Sequence, residues 1–292
     1  MRITNEMGYR SLLRDLERIS ERMQEAQNQI TSGKKLSRPS DDPAAASDVV
    51  RINAEKGEIS QYLKSVATGK ARLDFGDTVL DSVERMTERI RDLGLLSQNG
   101  LAPIAAYTTE IQGLRDQIFA AANSTFEGQF IFGGSRSDSS PYVLQSNGLI
   151  TYAGNSDAVK LQIGRSSTLQ TQLPGDEVFS GAVNIFTTID DLLTAIKTGD
   201  KAGTIAQTTN LEQCYQTLGI SRARLGSLVN VAQTVESELG RFDLARTEHL
   251  MRLEDADLPT ALTEFTKNQT ALQAATAVGA RISNISILDY LR

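Results

Sequence analysis

The chain has 292 residues, 40% of them hydrophobic and 23% charged, so it is long enough for one large domain or several small ones and too apolar for a disordered tail. A net charge of -6, with Lys and Arg interleaved among Glu and Asp, works against nucleic acid and anionic membranes as partners. One cysteine, Cys214, and one histidine, His249, exclude an intrachain disulfide and a His/Cys zinc site, and leave a Ser-His-Asp triad only if His249 carries it.

Aromatic residues make up only 5% and Trp is absent, a composition suited to narrow helical seams rather than a bulky core. No run approaches the roughly 18 apolar residues of a membrane span. The opening MRITNEMGYRSLLRDLERI is amphipathic where a signal peptide is continuously apolar, which predicts a cytoplasmic protein or one exported without a cleaved signal.

From Asn5 the positions Tyr9, Leu12, Leu16, Ile19, Met23, Ala26 and Ile30 step by three and four between charged residues, which predicts a helix with one narrow heptad stripe. The stretch SGKKLSRPSDDPAAAS follows, at positions 32–47. Its Gly and Lys do not have the spacing of a phosphate-binding loop, and Gly33 comes after a helix rather than after a strand. Gly33 reads instead as a left-handed helix cap, with Lys34 and Lys35 at the negative end of that helix. Asp41 and Asp42 could be an acid pair, but Pro43 and an alanine run follow directly, so Asp42 reads as an N-cap with Pro43 at the first helical position.

A second helix is predicted from Pro43, with Ile52, Ile59, Val66, Leu73 and Leu80 at a strict interval of seven, then Val83, Ile90 and Leu93, ending near Gly100. Gly57, Gly69 and Gly76 lie inside it, each costing about 1 kcal/mol relative to Ala, so close backbone approach or bending compensates or the helix breaks near one of them; one long, slightly irregular helix is the expectation. A third helix carries Ile104, Tyr107, Ile111, Leu114, Ile118 and Ala121 and stops near Phe126. The period then changes to two. Strands are expected at 129–132, 142–145, 149–152, 159–163 and 168–173, between turns rich in Gly, Asn, Asp and Ser. Helix returns with Ile189, Leu192 and Ile196, then from about Gly203 through Leu211, Tyr215 and Leu218. Its seam continues through Leu225, Leu228, Ala232, Val235, Leu239 and Phe242, with His249 on the same line. A last narrow stripe runs from Leu258 through Leu262, Phe265, Leu272, Val278, Ile282, Ile285 and Leu288.

The expected fold is mainly α with a β insertion: a long antiparallel coiled coil or helical bundle formed by the N- and C-terminal segments, plus a small central β domain. The expected division is 1–40 with 255–292 as terminal helices, 41–128 with 185–254 as a helical rod, and 129–184 as the β domain. Catalytic, cofactor and metal sites are not expected. His249 and Cys214 read as packed residues, Asn123-Ser-Thr as a chance glycosylation match, and Glu254 to Asp257 as charge at the start of the last helix. What remains is surface: the stripes Leu12, Leu16, Ile19, Met23 and Ile30, and Leu262, Phe265, Leu272, Ile282, Ile285 and Leu288, are candidate assembly seams, with Gly33, Asp41, Asp42 and Pro43 as the joint.

Three motifs resemble the flagellin superfamily, and within it the hook-associated protein 3 group of hook-filament junction proteins. SGKKLSRPSDDPAAAS is similar to the signature that follows the family's first helix, through Ser32, Gly33, Ser40, Asp41, Asp42, Pro43 and Ala44. FEGQFIFGGSRSDSSPY is similar to the element that opens the family's β domain, with Gln129 where Tyr is usual and Gly133 where Ser or Ala is usual. ALTEFTKNQTALQAATAVGARISNISILDYL is similar to the closing helix of the junction group, and its ISILDYL differs from the end of filament flagellins. The resemblance implies a non-enzymatic flagellar protein that joins the ring of hook-associated protein 1 to the flagellin filament, with self-association into a ring. Its terminal helices would form an inner tube and its β domain would face outward. Export through the flagellar type III system, and a chaperone covering the C-terminal helix, are also implied. A filament flagellin and a cytoplasmic coiled-coil adaptor are the alternatives, with an enzyme built on the β domain more remote.

Overall fold

The computed structural model describes residues 2–99 and 103–290, with side chains described at 7 and across 10–280 apart from 100–102. Helices α1 (Arg2–Ser32), α2 (Pro43–Ser97) and α3 (Ile104–Ala122) come first. Three antiparallel hairpins follow: β1 (Thr125–Phe126) with β2 (Gln129–Phe130), β3 (Tyr142–Leu144) with β4 (Ile150–Tyr152), and β5 (Lys160–Gln162) with β6 (Thr168–Gln170). Helices α4 (Gly175–Phe179), α5 (Ile185–Thr198), α6 (Lys201–Glu254) and α7 (Leu258–Tyr290) complete the chain. The protein is thus mainly helical with a small central insertion of strand pairs. It divides into two compact units, residues 1–58 with 242–292, and residues 59–241.

In the second unit, the heptad line of α2 is the core. Val66, Leu73, Leu80, Val83 and Ile90 are fully buried, packed in one apolar cluster with Leu211, Leu218 and Leu225 of α6, Ile111 and Ile118 of α3, and Ile189 and Leu192 of α5. Helix α2 runs unbroken through its glycines, and two of them have a tertiary reason. A Cβ at Gly69 would lie 3.0 Å from Thr171 Cγ2, and one at Gly94 would lie 2.8 Å from Thr208 Cγ2, so both positions mark close approach of other segments. Arg222 of α6 reaches three carboxylates one turn apart on α2: Asp77 at 3.0 Å, Asp81 at 2.9 Å and Glu84 at 2.6 Å. Its guanidinium is held charged, above its ordinary pKa, first by hydrogen bonds to Asp77 and Glu84.

The central strands are shorter than the alternation predicts. The 129–132 strand ends at Phe130; Ile131 and Phe132, each 2% exposed, are both buried in the core, with Ile131 N still donating to Ser124 O at 3.2 Å. Hairpin β1–β2 turns through Glu127 and Gly128, both at positive φ (51° and 79°). Around the insertion, Phe132, Tyr142, Phe179 and Phe186 form an aromatic cluster, with Tyr142 centred 5.5 Å from Phe179 and 5.2 Å from Phe186. The Tyr142 hydroxyl donates to Gly175 O at 2.7 Å. The Asn123 amide accepts from Tyr142 N at 2.9 Å and donates to Tyr142 O at 3.0 Å, so this side chain, the one in the glycosylation-like triplet, is used to pin β3 to the end of α3.

Cys214 is 4% exposed, with Sγ 3.7 Å from Val183 O, and burial pushes its thiol up to about 11. The folded chain therefore keeps a proton that the unfolded thiol, near 9.0, has lost. The stabilising contribution is complete below about pH 9 and disappears as pH climbs through about 11. Urea melts between these limits are expected to show falling stability, with a shallower fall in Cys214→Ala; identical slopes would show that the thiol does not contribute.

Candidate assembly surface

In the first unit, α1 and α7 lie side by side and antiparallel. Ala26 and Gln29 near the end of α1 flank the same groove as Asp257 and Ala261 at the start of α7, whereas Leu12 lies against Gly279. Ala26 is 5% and Ala261 4% exposed, and Leu12, Leu16, Ile19, Met23 and Ile30 are half-buried. On α7 the inward positions are Ala261, Phe265, Asn268 and Leu272, stepping four, three and four. A Cβ at Gly279 would come within 2.9 Å of Leu12 Cδ2, so small residues set the spacing of this pair.

Leu262 lies off that contact and is 55% exposed, beside Leu258 at 48%. Helix α7 therefore carries an inner seam filled by α1 and, off that seam, an exposed apolar pair, Leu258 and Leu262. Ile282, Ile285 and Leu288 lie outside the described side chains. Met7 is also exposed, and so is Phe242, which the sequence stripe places on the α6 seam but which is 51% exposed. His249 is half-buried on α6.

The joint is built by hydrogen bonds to main-chain groups. Gly33 takes φ 70° after α1, its N–H donating to Gln29 O at 2.9 Å. Gly33 O accepts from Ala256 N at 2.9 Å, and Lys35 N donates to Glu254 O at 2.7 Å, which ties residues 33–35 to the short α6–α7 connection. The two lysines serve a different helix end from the one expected. Lys34 Nζ pairs with Glu254 at 2.7 Å and Lys35 Nζ donates to Arg252 O at 2.8 Å, so they complement the C-terminus of α6 rather than that of α1. Asp42 Oδ1 accepts from Ala44 N and Ala45 N, both at 3.0 Å, as the cap of α2 ahead of Pro43. Asp41 Oδ2 accepts from Ser37 N at 3.1 Å and Arg38 N at 2.8 Å, closing the preceding loop. The two carboxylates bind separate sets of amides and do not converge on a shared substrate atom. Asp257 accepts at 2.8 Å from the Thr260 hydroxyl in the first turn of α7. Among the described residues, no group of His, Cys, Asp and Glu is arranged to hold a metal, and no helix is long and apolar enough to cross a membrane.

Residues 3–137 match the model of the bacterial flagellin N-terminal helical region, and residues 204–291 that of the bacterial flagellin C-terminal helical region. The chain belongs to the flagellin superfamily. Flagellar hook-associated protein 3 of Escherichia coli strain K12 is 27% identical over 317 residues, covering 99% of both chains. A flagellin of Bacillus subtilis strain 168 is 22% identical over 316 residues, covering 100% of both. The solved structure of a putative flagellar hook-associated protein from Vibrio parahaemolyticus, 23% identical, superposes with a TM-score of 0.68 over 73% of this chain and 99% of that one. That likeness shows a shared fold over the superposed part of the chain. The superfamily's members are structural components of flagella, and this chain is a structural protein, not an enzyme.

Proposed function

We propose that this flagellin-superfamily chain is a hook-filament junction subunit, joining a ring of hook-associated protein 1 to the flagellin filament. The observation that carries the reading is the exposed apolar pair of α7, Leu258 and Leu262, beside an intrachain seam already filled by α1. A helix pair left with exposed apolar residues off its own seam is suited to packing against further helices. Residues 1–40 and 255–292 would then line the inner tube, 41–128 and 185–254 form the rod, and 129–184 face outward. Other copies of the chain would complete the ring. Passage through the flagellar type III channel, with a chaperone on the C-terminal helix, fits a stripe that exposes apolar surface before assembly.

The end-to-end match to a hook-associated protein 3, at 27% identity against 22% for a flagellin, favours a junction subunit over a filament subunit. Deletion in an otherwise wild-type cell separates the two readings. Hooks without filaments, with flagellin lost to the medium, are expected. Filaments that stay attached, with no flagellin shed, would refute the junction assignment.

A further inference from the structure

Of the buried side-chain polar atoms in the second unit that lack a hydrogen-bond partner among the described residues, two belong to residues lining one small cavity. Arg72 of α2 donates from Nη1 to Gln129 Oε1 at 3.0 Å and from Nη2 to Phe130 O at 3.4 Å, while its Nε–H finds no acceptor. Gln172, two residues past β6, is 3% exposed; its Nε2 donates to Gly134 O at 2.6 Å, and its Oε1 accepts nothing. The cavity measures about 10 Å³, and Gly76, Ile131, Thr171 and Leu225 supply most of the remaining wall.

That volume is the size that admits a single water molecule. A buried donor and a buried acceptor left unmatched are each unfavourable, and one water can satisfy both because it accepts and donates at once. We infer that the cavity is a structural water site, in which one water accepts from Arg72 Nε–H and donates to Gln172 Oε1. The bridge links α2 to the segment that leaves the last hairpin, where Leu225 of α6 closes the wall. Gly76 has a role on this account that helix propensity does not predict: its missing side chain leaves the room the water occupies. The inference rests on the described core and is independent of the junction reading.

A crystal structure of the full chain, at a resolution where ordered water is visible, tests it directly. One density peak within about 3.2 Å of both atoms is expected. An empty cavity, or Arg72 Nε bonded directly to Gln172, overturns the inference. Thermal melting gives a second reading. A methyl at Gly76 meets only Leu225 Cδ1, at 3.6 Å, so it fits while taking space in the cavity, whereas a methyl at Gly226 meets nothing within 4 Å. Gly226→Ala is expected to raise Tm by about 2–4 °C, as a glycine replaced in an exposed helix should. Gly76→Ala is expected to show no such gain and to lose the density peak. Equal gains in the two variants would mean that no bridging water is displaced.

Discussion

Leu262→Glu is expected to leave the isolated chain as stable as the wild type and to abolish filament attachment. Leu262 is 55% exposed on α7, and Leu and Glu have similar helix propensities, so the monomer loses neither packing nor helix. Substitutions of that kind on an exposed helix face usually change stability by no more than about 0.5 kcal/mol. In an assembly the same position matters far more. A Leu side chain buried between subunits contributes about 1.5–3 kcal/mol, and a carboxylate in its place must also be stripped of water. In the proposed ring the loss would recur at every copy. Ala261→Glu, one residue away, should behave oppositely in vitro: Ala261 is 4% exposed against α1, so the charge is buried within the chain and the monomer itself melts early. Circular dichroism melts of both variants, together with swimming assays in complemented deletion cells, check the pair. Full motility with Leu262→Glu would show that this face is not used in assembly.

The contrast between neighbours 261 and 262 also explains what sequence reasoning could and could not find. A stripe drawn through the largest apolar residues selects Leu262, because hydropathy ranks Leu above Ala. The α1–α7 contact is instead built on Ala26, Ala261 and Gly279, whose small side chains let the helices approach. The signal was present as Ala, Phe, Asn and Leu at heptad spacing from 261 to 272, but a polar Asn and a small Ala carry little weight in such a stripe. The α2 heptad was visible because every position in it is bulky, and all but the half-buried Ile59 are fully buried. The reason Gly69 and Gly94 are tolerated there was not, since it lies in Thr171 and Thr208, roughly a hundred residues along the chain, whose arrival beside α2 is a tertiary event. Strand β1 and helix α4 were missed for want of length: a two-residue strand and a five-residue helix are too short to show a period. Lys34 and Lys35 were assigned to the nearest helix end in sequence, whereas the antiparallel return of the chain places the end of α6 beside them.

Phe186→Ala is expected to cost about 3–5 kcal/mol, the range for deleting a fully buried Phe. Phe186 is 1% exposed at the start of α5, where Asn184 caps the helix by accepting from Phe186 N at 2.9 Å, and its ring is centred 5.2 Å from Tyr142, 6.3 Å from Phe179 and 6.5 Å from Phe119. The backbone around it is thus fixed by the cap, and the neighbouring rings cannot collapse far into the space left by truncation. Domains are stable by only about 5–15 kcal/mol, so a loss of this size should lower the melting temperature of the second unit by roughly 10 °C. Phe242→Ala removes the same number of atoms from a ring that is 51% exposed, and its cost in the isolated chain should stay near or below about 1 kcal/mol. The comparison separates core from surface with side-chain chemistry held constant. Urea denaturation of both variants, followed by thiol labelling of Cys214 as a local reporter of the second unit, reads the difference. Phe186→Ala should hasten labelling at low urea, because Cys214 is buried in the same cluster, and Phe242→Ala should leave it unchanged. Equal costs for the two truncations would mean that the aromatic cluster contributes no more to stability than a half-exposed ring.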